Sequence, residues 1–115
     1  MHDQGDAALL RRQNQFLHEI EQGIRQANRE IIHARIPELD RDRFLEFALL
    51  VARLRAGYLE AALGIASDDE GETALESFAL VRRKRQAYEE AREAFDALER
   101  AIQRGYVDLA AVASV

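Results

Sequence analysis

Residues that interrupt helices cluster in three places along this 115-residue chain, and that spacing limits its fold more than any other feature. The single proline, Pro37, lies within Arg35-Ile-Pro-Glu-Leu-Asp40. The second break is Ser67-Asp-Asp-Glu-Gly-Glu-Thr73, and the third is Gly105. Between them Ala, Leu, Arg, Glu and Gln dominate, which are the strongest helix formers. No stretch of β-branched residues alternates with polar ones. Three long helices are therefore expected, at about 7–35, 40–66 and 70–104, followed by a tail over 105–115. Short connections make sequential helices antiparallel. The expected fold is all-α: one domain spanning 1–115, an up-down-up bundle of three long antiparallel helices.

The ends carry their own chemistry. Asp40 can cap the second helix, with Arg41, Asp42 and Arg43 in its first turn. Ser67 or Asp68 can cap the third, and the carboxylates of Asp69, Glu70 and Glu72 suit its positive end. Gly105 fits the left-handed position after the third helix, with Tyr106 packing back. The tail Val107-Asp-Leu-Ala-Ala-Val-Ala-Ser-Val115 is small and apolar. It reads either as a short helix capped by Asp108 or as a free peptide for a partner.

The first helix is amphipathic at heptad spacing: Leu10, Leu17, Ile24 and Ile31 are seven apart, interleaved with Ile20, Ala27 and Ala34. That narrow stripe is of coiled-coil type. In the third helix Val81, Tyr88, Phe95 and Ile102 repeat in the same way. The second helix differs. Glu46, Arg53 and Glu60 form one polar seam, and nearly everything else is apolar over an arc of roughly 260° at about 100° per residue. A surface helix needs far less. A membrane span is excluded, because residues 44–66 carry four charges and contain no long uncharged run. Burial by protein remains. Two neighbours in the chain cover only part of the arc, and Phe16 and Ile32 on the first helix also lie off its stripe. Surplus apolar surface of this kind is hidden by association, so a homodimer or higher oligomer is expected, formed through the second helix.

Arg55 sits near the middle of that apolar arc, where arginine is rarely buried unpartnered. Reflection through the two connections places it opposite Glu19, Glu21 and Gln22 on the first helix and Arg83, Lys84 and Arg85 on the third. A mid-bundle layer is expected from Arg55, Lys84, Arg85 and Glu21, with the Tyr58 and Tyr88 hydroxyls. Two readings follow. The layer is an ion-pair set that fixes register, with side chains reaching the edge, or it is a basic pocket for a phosphate, carboxylate or acidic side chain.

Several classes of chemistry are disfavoured. The formal net charge is −5, which works against counterion-release binding to nucleic acid. The basic run Arg82-Arg-Lys-Arg85 radiates around a helix and does not form one patch. There is no cysteine, which rules out a disulfide, a thiolate-held metal and a thiol nucleophile. No nucleophile has an adjacent base, and no glycine-rich phosphate loop is present, so nothing argues for an enzyme. No cofactor is expected. The first residues lack the apolar run of a secretion signal, making cytoplasmic the expected location. Lys84 is the only lysine against fifteen arginines, a bias that fits a GC-rich bacterial genome.

One motif has metal-like spacing. Glu30-Ile-Ile-His33 puts two ligands on one side of a helix, as di-iron carboxylate bundles do, and Glu46 lies across the Pro37 turn. A dimer could then combine two such half-sites. Against it, Glu30 and His33 lie off the apolar stripe and should face solvent. The sequence thus points first to a non-enzymatic helical interaction protein, an adaptor, assembly factor or chaperone-like subunit that binds itself and another protein through apolar helix faces. A metal-carboxylate bundle and a small-anion sensor built on Arg55 are the alternatives.

Overall fold

A computed structural model describes residues 2–67 and 72–110, with side chains for 4–67 and 74–110. Three long helices make up nearly all of it: α1 His2–Arg35, α2 Arg41–Ile65 and α3 Glu72–Gln103. Two short strands join them, β1 Glu38–Leu39 and β2 Asp108–Leu109. The protein is all-α in class, and α2 and α3 pack closely as an antiparallel pair. Asp68, Asp69, Glu70, the Glu72 side chain and residues 111–115 lie outside the described residues. The cap expected at Asp68 and the last residues of the tail fall among them.

Local chemistry explains the helix ends. The Asp40 carboxylate accepts from the Asp42 backbone N–H at 2.7 Å and caps α2. At the end of α3, Gly105 takes a φ of 74°, in the left-handed region. Its N–H donates to the Ile102 carbonyl at 3.0 Å, and that of Tyr106 to the Ala101 carbonyl at 2.9 Å. These two bonds form a Schellman ending, which turns Tyr106 back into a buried position.

Where the sequence left the tail open, the structure gives it a partner. Residues 108–109 form neither a helix capped by Asp108 nor a free peptide. They run parallel to β1, with Glu38 beside Asp108 and Leu39 beside Leu109. The Ala110 N–H extends the ladder to the Leu39 carbonyl at 3.0 Å. This strand pair ties the end of α3 to the α1–α2 connection. Leu39, Tyr106 and Val107 are buried there, packed by Ile32, Ile36, Phe44, Ala101 and Ile102.

From this knot the α2–α3 hairpin extends along an aromatic ladder. Phe95 stacks on Phe44 at 4.7 Å and on Phe47 at 5.9 Å, and further along Tyr58 lies 6.0 Å from Tyr88. α1 shares its last turns with the knot, while Leu10, Leu17, Ile24 and Ile31 are each more than half exposed. The radius of gyration is 23.5 Å, with extents of 75 × 53 × 22 Å. A compact chain of this length would have a radius of about 13 Å. The chain is open because its longest helix stands clear of the hairpin.

Candidate interaction surface

The apolar arc of α2 resolves into two seams. On one side Phe47, Val51, Leu54, Tyr58, Ala61 and Ile65 are all half-buried. Their spacing alternates four and three, which is the a/d spacing of a coiled coil. This inner seam faces α3. On the opposite side Leu45, Leu49, Ala52, Ala56, Leu59 and Leu63 repeat the same spacing, and all six are exposed. The two seams lie about 160° apart at 100° per residue. The wide arc is thus two apolar seams on one helix, one packed on α3 and one open to solvent.

Arg55 lies on the edge of the open seam. Its Nε and Nη2 donate to the Tyr88 hydroxyl at 3.0 and 2.7 Å. The guanidinium carbon is 5.3 Å from the Tyr88 ring centroid, but the two short hydrogen bonds place it at the hydroxyl end of the ring and not squarely over its face. Tyr88 is buried between the helices and holds the arginine from below. Among the described residues the remaining N–H groups of Arg55 meet no other partner.

Of the layer expected around it, the Tyr88 hydroxyl is in place, but the charged members are not. Lys84 runs beside Gly57, with its Cδ 3.9 Å from where a Cβ there would stand. Gly57 lies on the edge of α2 opposite to Arg55, about 160° around the helix. Arg85 is exposed on α3 and Glu21 is exposed on α1. Among the described residues neither forms a hydrogen bond or ion pair with Arg55. Reflection through the connections missed by one helical turn: the residue opposite Arg55 is Tyr88, not Arg83–Arg85.

The residues with metal-like spacing are also drawn apart. Glu30 accepts from the Gln26 side chain at 2.8 Å within α1. His33 Nε2 faces Asp108 Oδ2 at 3.1 Å, so it does not point freely to solvent as expected. Glu46 is exposed on α2. Among the described residues no group of three or more His, Asp or Glu side chains is arranged to hold a metal ion.

His33 instead belongs to a polar latch that the sequence reading missed. Arg29 Nη2 lies 3.1 Å from Asp108 Oδ1, and its Nη1 donates to the Gly105 carbonyl. Arg29 first, then His33, hold the Asp108 carboxyl below the usual carboxylate range through these hydrogen bonds. The Tyr106 hydroxyl is likewise lowered, mainly by Arg104 beside it and further by Asn28 of α1. A usable signal was present: Arg29 and His33 are four apart on one helix face, and Asp108 is the only acid in an apolar tail. The latch holds the face of α1 that carries Asn28, Arg29, Ile32 and His33. The apolar stripe of Leu10, Leu17, Ile24 and Ile31 is centred roughly 100° away around the helix, and all four side chains are more than half exposed.

The fold and this surface define an all-α protein of three long helices with two apolar helix faces open to solvent. Among the described residues no helix is long and apolar enough to cross a membrane. Compared with protein-family models, curated proteins and solved structures, the chain has no match in any of the three.

Proposed function

We propose that the chain is a non-enzymatic helical interaction protein of the cytoplasm, an adaptor or assembly factor that joins a second copy of itself to another protein. The observation that carries this reading is the pair of open seams. The α1 stripe and the outer α2 seam are spaced to receive helices, and among the described residues nothing fills either. Only Leu39, Tyr88, Tyr106 and Val107 are buried among the described hydrophobic residues. So small a core is marginal for a chain of this length, because stability scales with apolar area removed from water. Association supplies the missing burial. The latch at Asp108 supports a division of labour, since it fixes α1 by its polar face and leaves the stripe for an amphipathic helix of a partner.

Affinity capture with the full chain, run beside a Leu17→Glu, Ile24→Glu variant, tests the α1 assignment. A partner protein should be retained by the wild type and lost by the variant. If both forms retain the same proteins, the α1 stripe is not the working surface.

A further inference from the structure

The outer α2 seam carries enough information to name its occupant. In heptad terms Leu45, Ala52 and Leu59 are d positions, and Leu49, Ala56 and Leu63 are a positions. The flanking e positions are then Glu46, Arg53 and Glu60, and the g positions are Arg41, Ala48, Arg55 and Ala62. In a parallel, in-register pair each g residue meets the e residue five positions further along on the other helix. Arg41 meets Glu46, and Arg55 meets Glu60. In an antiparallel pair centred on the same seam, e meets e and g meets g. That arrangement sets Glu46 near Glu60, Arg53 near Arg53 and Arg55 near Arg55, so every charged contact is repulsive. We propose that the outer seam of α2 is closed by the same seam of a second copy, in a parallel, in-register coiled coil where Arg55 of each copy pairs with Glu60 of the other.

This rests on the interaction reading above and gives it a geometry. The seam covers less than three heptads, short for an isolated coiled coil, but α3 already holds α2 in helical form, so nucleation is not required again. The Tyr88 hydroxyl fixes two of the Arg55 donors, at 3.0 and 2.7 Å, which orients the guanidinium before the partner arrives. It also explains a cation on an apolar arc: its carboxylate comes from the other copy.

The absence of native cysteine makes the test direct. Ala52→Cys and Ala56→Cys are made separately and oxidised at association-competent concentration. In the parallel register each variant should cross-link to itself in high yield. Poor yield alone, with efficient linking only when the two variants are mixed, would establish the antiparallel register and overturn the proposal. Failure to link in any combination, with light scattering still showing a dimer, would also overturn it while leaving the interaction reading intact. A monomeric wild type that does not link would sink both. Charge reversal gives an independent readout. Arg55→Glu should weaken association roughly 10-fold, and adding Glu60→Arg should restore it to within about 3-fold, since exposed edge pairs are individually modest but reversal changes their sign. Loss without recovery in the double variant, with helicity unchanged by circular dichroism, would refute the Arg55–Glu60 pairing.

Discussion

Leu49→Glu separates the two seams of α2 by a single change. Leu49 is 49% exposed, so about half of its surface is still to be buried on association. Full burial of a leucine is worth about 1.5–3 kcal/mol, which leaves about 1 kcal/mol per copy and about 2 kcal/mol per dimer. A glutamate in its place must also be desolvated without a partner, which adds several kcal/mol more unless the helices part. A total loss of at least about 4 kcal/mol corresponds to roughly a thousandfold weaker association. In the free chain half of the side chain already faces water, so the cost to the α2–α3 hairpin itself should stay within about 1 kcal/mol. Leu54, five residues on, lies on the inner seam, and Leu54→Glu should unfold the hairpin instead. Sedimentation velocity reads the mass and circular dichroism reads the helicity. The expected result is a folded monomer for Leu49→Glu, with a melt that no longer depends on concentration. If Leu49→Glu keeps the wild-type mass, the outer seam is not the association surface and the reasoning fails.

Three further outcomes follow from the knot and the ladder. Phe95→Ala removes a ring stacked on Phe44 and Phe47; because Phe95 is only half-buried, the loss should be about 2–3 kcal/mol, below that of a fully buried phenylalanine, as read by denaturant unfolding. Gly105→Ala forces a side chain into the left-handed region at φ 74° and should cost about 1 kcal/mol, lowering the thermal midpoint by a few degrees, whereas an unchanged midpoint would deny the Schellman ending a role. Asp108 has a folded pKa below its unfolded value, so its contribution is present above the ordinary carboxylate range and fades as pH falls through the depressed value. Amide exchange in residues 28–33 should therefore speed up only in strongly acid solution, and Asp108→Asn should speed it up already at neutral pH; equal protection in both forms would remove the latch from the account.

Some of this architecture was written in residue-specific chemistry and could be read directly. Pro37 and Gly105 mark real boundaries, Asp40 caps α2, and the heptads of α1 and α3 are helical faces. The strand pair was not legible, because two residues per strand carry no periodicity, and Glu38 and Asp108 are not typical strand formers. The Tyr88 hydroxyl was expected in the layer around Arg55, but its place as the arginine's direct partner was not legible. Reflection through two connections assumes equal reach on both sides, and an error of one turn exchanges Tyr88 for Arg85. The open seam was hidden in a different way. Two heptad patterns superposed on one helix read as a single broad apolar arc, and only the side covered by α3 shows which residues are left over. The placement of α1 depends on Asp108, more than seventy residues away in sequence, so its stripe could be found but not its orientation.

The measurement that bears most directly on the central claim is the mass of the unmodified chain in solution across a concentration series. Light scattering should give twice 13.1 kDa at tens of micromolar, falling toward a single chain only on strong dilution. A mass of 13.1 kDa throughout that series would mean that the outer seam of α2 stays open to water, and the claim that this protein works by joining helices through it would be contradicted.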